Sequence, residues 1–173
     1  TTVLSAVRLG AYVYVLLKDV SNNYRVYRYD RTNLSAGGTL MTIATQAFST
    51  SGGANVRMTC NGTDFFFNYQ AGNSANDYVT SKYTLSGTTL THSSNTTNGS
   101  TANSVRGFVV DSSSNIYGMS NVDSSIRKFN SSGTLQSTTI AIGGIANAQM
   151  ACIVNDYYVD ATTPLRFNKV VLL

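Results

Sequence analysis

Residues 107–118 read GFVVDSSSNIYG, and residues 126–135 read IRKFNSSGTL. In each stretch a strand-like run meets a cluster of Asp, Asn, Ser or Gly, and a second strand-like run then begins. This pattern is typical of a β-hairpin, because such clusters supply the local hydrogen bonds and positive φ angles of tight turns. Together the stretches predict a four-stranded meander with strands at 107–111, 115–120, 125–130 and 134–142.

The same order of elements recurs along the chain. Val-Arg pairs stand 49 residues apart at Val7-Arg8, Val56-Arg57 and Val105-Arg106, with an echo at Ala148-Gln149. A basic-aromatic-polar triplet follows each of them: Arg28-Tyr29-Asp30, Lys82-Tyr83-Thr84, Lys128-Phe129-Asn130 and Arg166-Phe167-Asn168. A period in the forties marks one supersecondary unit per repeat. The sequence therefore predicts repeats at about 7–55, 56–104, 105–147 and 148–173.

The composition favours an all-β fold. Glu and Trp are absent, there is one Pro, and β-branched and aromatic residues form short runs without a helical apolar stripe. A four-stranded antiparallel meander repeated at this period is a propeller blade. We therefore expect residues 1–173 to form a single β-propeller domain of about four blades, either as a ring of its own or as part of a larger or oligomeric ring.

The third repeat resembles the bacterial β-propeller repeats of the SBBP and NHL-like type over residues 105–142. The resemblance implies a propeller blade, and that family pattern prefers Gly where Ser114 stands. It implies no particular activity, because such propellers serve many unrelated roles.

Catalytic chemistry is poorly represented in the sequence. His92 is the single histidine and falls in the outermost predicted strand of repeat two, where a polar edge role is simpler than that of a general base. Cys60 and Cys152 occupy equivalent first strands and are expected to be two buried thiols, not a disulfide. Asp19, Asp77, Asp123 and Asp160 stand in turns, where Asx hydrogen bonding explains them better than a calcium site. We expect no enzyme activity, metal or cofactor.

One position shared by the aligned repeats, the second residue of each Val-Arg pair or of its echo, is a candidate site; we call these residues the column. Its members are Arg8, Arg57, Arg106 and Gln149. In propellers the first strand of each blade lines the central axis, so the resemblance implies that these side chains ring one mouth of the channel. Convergent guanidinium groups suit a carboxylate, sulfate or phosphate. The alternative is that each Arg anchors a neighbouring loop through backbone carbonyls or an Asp.

The expected function is recognition of a glycan or other surface ligand by a non-enzymatic, extracellular, cell-surface or virion-surface propeller. The alternative is a structural subunit of an extracellular fibre, phage tail or coat. Basic residues are spread along the chain at a formal net charge of +4, and no nucleic-acid motif accompanies them. Nucleic-acid binding and membrane insertion are therefore not expected, whereas attraction to anionic surfaces fits the charge.

The fourth repeat predicts self-association. After Arg166-Phe167-Asn168 only residues 169–173 follow, without the Gly-Thr-Leu strand that ends the other repeats. An apolar segment on a bare sheet edge is an aggregation hazard, so a partner is expected. Thr1–Ser5 is the intramolecular candidate, but its link to Val7 is short, and pairing with another chain or a further segment is favoured.

Overall fold

The computed structural model describes residues 1–44, 56–70, 78–97, 105–120, 125–141, 150–154, 157–158, 164–165 and 169–172. Sheet 1 contains β1 (Thr2–Leu9), β2 (Tyr12–Lys18), β3 (Tyr24–Asp30) and β4 (Thr39–Leu40), paired in chain order. A short 3-10 turn at Leu34–Ala36 lies in the connection between β3 and β4. The first repeat is thus an antiparallel meander whose last strand is very short.

Sheet 2 has five strands. They are β5 (Thr42–Ala44), β6 (Arg57–Cys60), β7 (Asp64–Gln70), β8 (Tyr78–Ser86) and β9 (Thr89–Thr97), in the order β5-β9-β8-β7-β6. The last four form the meander of the second repeat. β5 comes from the end of the first repeat and pairs parallel to β9. The chain from β4 to β5 therefore passes directly from the outer edge of sheet 1 to the outer edge of sheet 2.

Sheet 3 is the meander predicted from the opening stretch. Its strands are β10 (Val105–Val110), β11 (Ile116–Ser120), β12 (Ser125–Phe129) and β13 (Leu135–Ala141), again in chain order. Two antiparallel pairs complete the described residues: β14 (Met150–Val154) pairs with β17 (Lys169–Leu172), and β15 (Tyr157–Tyr158) pairs with β16 (Pro164–Leu165).

The tight turns share one design. In the turns that begin at Asp19, Asp111 and Asn130, the side-chain oxygen of the first residue accepts backbone N–H groups two and four residues later. The fourth residue of each turn has positive φ, and it is Asn22, Ser114 or Gly133. The family preference for Gly at position 114 therefore reflects a left-handed backbone at that residue.

The three sheets are stacked face to face, with sheet 2 in the middle. Phe65, Phe67 and Tyr83 of sheet 2 pack into one buried cluster with Tyr14 and Leu16 of sheet 1. Strand alternation turns Phe66 to the opposite face. There it packs in a second cluster with the sheet 3 residues Phe108, Val110, Ile116 and Phe129. The unbroken aromatic run of β7 is thus explained by burial on both faces.

The innermost strands run in the same direction. Residues of β6 bond to residues of β1 in increasing order along both strands, since the Met58 N–H donates to Ser5 Oγ and the Cys60 thiol donates to Arg8 O. At the ends of these strands, Asn61 Nδ2 donates to Ser114 Oγ at 2.8 Å and joins the first turns of sheets 2 and 3. The connections that follow the first and third strands of each sheet therefore gather at one end, which we call the hairpin end. It consists of residues 10–11, 31–38, 61–63, 87–88, 111–115 and 130–134.

Both ends of the chain are paired with strands of their own repeats. The tail strand β17 pairs antiparallel with β14, with Cys152 opposite Val171. Thr2–Ser5 extends β1 and pairs with β2, with Thr2 opposite Lys18. The intramolecular candidate Thr1–Ser5 thus contributes residues to sheet 1, where it extends β1. Self-association through the fourth repeat, which the sequence analysis favours, stays a prediction.

The prediction of an all-β fold with several antiparallel sheets is confirmed. The described sheets are open, and a closed propeller stays a prediction. Among the residues that the structure describes, no helix has the length and apolar character needed to cross a membrane.

Candidate functional site

The hairpin end is held rigidly by polar contacts between sheets. Besides the bond from Asn61 to Ser114, Arg28 Nη1 donates to Gly87 O at 3.2 Å and ties β3 to the turn between β8 and β9. The Arg28 guanidinium also lies over the Tyr12 ring, 4.4 Å from its centroid. These contacts fix the connections of neighbouring sheets relative to one another, as a preformed binding surface requires.

The carboxylates at the turns accept hydrogen bonds from nearby backbone and side-chain groups. Asp111 accepts the N–H groups of Ser113 and Asn115 through one oxygen, and through the other it accepts Asn115 Nδ2 and the Tyr117 hydroxyl. Asp30 accepts the Thr32 hydroxyl and N–H, which lower the pKa of its carboxyl. Both side chains therefore serve as turn supports, and neighbouring neutral groups are left to face solvent.

The connection between β3 and β4 is the most exposed part of the hairpin end in the described chain. Residues 31–37 are all exposed, and Leu34 retains 59% of its accessible surface. Ser35 Oγ donates to Asn33 Oδ1 at 2.9 Å. The segment thus presents hydroxyl, amide and apolar groups to solvent on a short 3-10 turn.

Asp19 lies at the opposite end, between β2 and β3. Its two oxygens accept the Ser21 and Asn23 N–H groups, Asn23 Nδ2 and Arg25 Nε, the last at 2.8 Å. The bond from Arg25 is the main cause that lowers the pKa of Asp19 to about 2. The predicted Asx turn is confirmed here. Asp77, Asp123 and Asp160 lie outside the described residues.

The structure places Arg8 and Arg57 at different levels of adjacent strands. Arg57 Nη1 donates to Leu4 O at 3.4 Å, whereas the Arg8 carbonyl is level with Cys60. Three residues of β6 separate the two levels, which is roughly 10 Å along a strand. Arg8 is exposed near the hairpin end, and Arg57 is partly buried toward the other end. Arg57 thus makes the carbonyl contact that the anchoring alternative predicts.

The other two residues of the column are Arg106 and Gln149. Arg106 is the second residue of β10, as Arg57 is the first of β6, so these two occupy similar places on innermost strands. The side chain of Arg106 and the whole of Gln149 lie outside the described residues. An anion site formed by the four residues stays a prediction.

His92 belongs to a polar chain that crosses sheet 2. Its Nε2 lies 2.8 Å from Asn95 Oδ1, and Ser81 Oγ donates to the same oxygen at 2.6 Å. Ser81 is completely buried, and its hydroxyl also bonds to the Tyr69 hydroxyl at 3.1 Å. The Tyr83 ring meets the His92 ring edge-on, and burial raises the pKa of Tyr83 to about 12. The buried Ser81 hydroxyl contacts the Asn95 amide and not the His92 imidazole, so His92 cannot activate it as a nucleophile.

Polar groups between sheets 2 and 3 were not predicted from the sequence. Asp64 and Lys82 form an ion pair at 2.8 Å, and the Arg127 side chain is buried with only 8% of that residue exposed. Asn68 is fully buried, and its Oδ1 has no hydrogen-bond partner among the described residues. We call these polar groups between sheets 2 and 3 the polar layer. Its sign in the sequence is Asn68, which interrupts the aromatic residues of β7.

Cys60 is a free thiol of intermediate exposure. Burial is the main cause that raises the pKa of this thiol, which disfavours the reactive thiolate form. Within the described part of the chain, no three His, Cys, Asp or Glu side chains are grouped so as to hold a metal ion.

Comparison with known proteins gave no match to a protein-family model and no significant similarity to a curated protein. The functional argument therefore depends on the geometry of the chain itself.

Proposed function

We propose that this protein is a non-enzymatic β-propeller module of an extracellular, cell or particle surface, and that it binds a glycan or a similar surface ligand at its hairpin end. The observation that carries the proposal is the gathering of exposed neutral polar connections on three stacked and cross-linked sheets. Preorganised polar groups bind sugars with little loss of conformational entropy.

The propeller part of the proposal is supported by the aromatic position of the repeated triplet. Tyr83 and Phe129 are almost completely buried, each in the cluster shared with the preceding sheet. Tyr29 has the same place in sheet 1 and pairs with Val13 on the face turned away from sheet 2. By analogy, Tyr29 would pack against a sheet that precedes sheet 1. The fourth repeat, whose strand β14 lies beside β10, would provide that sheet.

The ligand class follows from the groups that the hairpin end leaves to solvent. Its carboxylates are bound within turns, so the exposed groups are chiefly hydroxyls and amides, with Arg8 and Arg31 as exposed cations. Hydroxyls and amides suit neutral sugars, and the two guanidinium groups favour glycans that carry a carboxylate or sulfate. Weak attraction to anionic surfaces is consistent with the net charge of +4.

The proposal is tested by screening a panel of neutral and acidic glycans and mapping any hit by amide chemical-shift changes. We expect shifts confined to the hairpin end and at least fivefold weaker binding in Asn33→Ala. The matched control is Ser21→Ala, an exposed turn residue at the opposite end, which should bind normally. Shifts centred on residues 19–24, or equal losses in both variants, would exclude the hairpin end as the ligand site.

A structural subunit of a fibre, phage tail or coat is the second candidate. It is favoured by the seven-residue outer strand β13, which carries no charged residue and ends sheet 3. A structural subunit should assemble without any ligand and bind no glycan selectively, so the glycan panel and the native mass together distinguish the two candidates.

A further inference from the structure

The interface between sheets 1 and 2 and the interface between sheets 2 and 3 can be compared position by position. Leu16 pairs with Val26 in sheet 1, and Asn68 pairs with Thr80 in sheet 2. Val26 and Thr80 each stand two residues before the basic residue of the triplet. Leu16 and Asn68 are therefore equivalent positions. Leu16 is buried in the apolar cluster with sheet 2, whereas Asn68 shares the face of Phe66 and presents an amide toward sheet 3.

The facing strand of sheet 3 lacks a side chain at the matching place. Phe67 is fully buried in the cluster between sheets 1 and 2, and it pairs with Ser81. Its equivalent in sheet 3 is Gly118, which is also buried and pairs with Arg127, since Ser81 and Arg127 both stand two residues before the aromatic residue of the triplet. The interface between sheets 2 and 3 therefore has backbone and polar groups where the other interface has an apolar ring. A buried water requires such a polar lining.

Asn68 is fully buried, and only one half of its amide is bonded. Its Nδ2 donates to Val79 O at 3.5 Å and to Thr80 Oγ1 at 3.2 Å. These two acceptors fix the orientation of the amide, because a flip would place Oδ1 against the Val79 carbonyl. Oδ1 has no hydrogen-bond partner among the described residues. A buried acceptor loses its hydration, so native proteins supply it with a protein donor or an ordered water.

The Thr80 hydroxyl provides the second half of a water site. Only 1% of this residue is exposed, and its oxygen accepts the bond from Asn68 Nδ2. A hydroxyl also donates one hydrogen bond of its own. Within the part of the chain that the structure describes, the Thr80 hydroxyl proton has no acceptor. An acceptor and a donor on neighbouring strands are thus both available to the same small molecule.

We propose that one water molecule is bound in the polar layer, where it donates a hydrogen bond to Asn68 Oδ1 and accepts one from the Thr80 hydroxyl. The ligand must be as small as water, because Asn68, Thr80 and Gly118 are all buried. It is not a cation, because Arg127 carries a positive charge in the same buried layer. Exchange of this water with the solvent requires local separation of sheets 2 and 3, so its residence is long compared with that of surface water.

The proposal is tested by oxygen-17 magnetic relaxation dispersion of the full chain, which measures the number of long-lived internal waters. We expect Asn68→Leu and Thr80→Val each to hold one long-lived water fewer than the wild type. These substitutions introduce the apolar residues of the equivalent positions in sheet 1. The matched control is Thr84→Val, an exposed position of the same strand, which should keep the wild-type number. An unchanged number in either site variant would overturn the proposal.

A crystal structure of the wild type provides a measurement that does not depend on how the variants fold. We expect a water about 2.5–3.0 Å from both Asn68 Oδ1 and the Thr80 hydroxyl oxygen. A protein donor bound directly to Asn68 Oδ1, such as the Arg127 guanidinium, would show that the chain satisfies this acceptor without water and would exclude the site.

Discussion

The clearest quantitative test of this fold concerns Ser114. This residue has φ of 63°, in the left-handed region, and its hydroxyl accepts a hydrogen bond from Asn61 of the neighbouring sheet. Glycine would relieve the backbone but remove the bond, whereas alanine would remove the bond and keep the strain. The two substitutions at one position therefore separate the two effects.

For Ser114→Gly, the stabilising and destabilising contributions to the free energy of unfolding should nearly cancel. The partly buried hydrogen bond contributes about 1 kcal/mol to the free energy of unfolding. Relief of left-handed strain returns about 1–2 kcal/mol, and the greater freedom of Gly in the unfolded chain costs about 0.5–1 kcal/mol. We therefore expect Ser114→Gly to change the free energy of unfolding by less than about 0.5 kcal/mol, and Ser114→Ala to lower it by about 1 kcal/mol.

Urea unfolding followed by far-ultraviolet circular dichroism measures both variants, alone and combined with Asn61→Ala. In the Asn61→Ala background the bond is already lost, so Ser114→Ala should have little effect and Ser114→Gly should raise the free energy of unfolding by about 0.5–1 kcal/mol. Equal effects of Ser114→Gly in the two backgrounds would refute the contact with Asn61. A Gly variant as unstable as the Ala variant would refute the strain.

Three further predictions concern other parts of the molecule. Gly38→Ala should displace the Tyr29 ring, because its Cβ would lie 2.5 Å from Cζ at the far end of this half-buried side chain, so we expect shifted Tyr29 ring signals in NMR spectra and a change in the free energy of unfolding of no more than about 1 kcal/mol in the same urea assay. The lowered pKa of Asp19 supplies stability that is present above its unfolded value of 3.8 and is lost as the pH falls through about 2, so Asp19→Asn should flatten the acid limb of a stability-against-pH curve over that range. Arg8→Ala should weaken binding of anionic glycans more than neutral ones, with an effect that shrinks as salt rises, because Arg8 is an exposed cation near the hairpin end. Arg57→Ala, at the other end, should bind like the wild type, and equal binding by the wild type and Arg8→Ala across a charged-glycan panel would remove Arg8 from the site.

The strands of the third repeat could be read from the sequence because local signals are sufficient there. The predicted strand 115–120 is observed as Ile116–Ser120, and 125–130 as Ser125–Phe129. The turn between the first two strands contains a left-handed residue at position 114, where the resemblance indicates Gly. In these hairpins the alternation of side chains, the turn residues and the strand ends all predict the same structure, so the local sequence is enough to determine it.

The first repeat could not be aligned from the sequence, because its register depends on contacts between sheets. The spacing of Val7-Arg8 and Val56-Arg57 suggested one strand position, but Arg57 is level with Leu4 and not with Arg8. A repeated dipeptide carries no information on how far a strand extends before it. The parallel pairing of β5 with β9 was missed for a similar reason: a three-residue strand from one repeat is completed only by the edge of the next.

The polar layer between sheets 2 and 3 shows why the candidate site was only partly predictable. The sequence analysis places Asp19 in a turn, and the structure agrees because the hydrogen-bond partners of its carboxylate are close in sequence. Arg127 and Asn68 are buried by sheets that meet only in the tertiary fold. Their positions depend on which strand faces which neighbour, and strand alternation alone does not give that.

The side-chain oxygens at the turns bear on the proposed ligand site at the hairpin end. Asp111 and Asn130 accept backbone N–H groups through their side-chain oxygens, so these turns are stabilised from within the chain. The proposed recognition would then depend mainly on hydroxyl and amide groups, which do not titrate. Binding of a neutral glycan at this end is therefore expected to change little with pH.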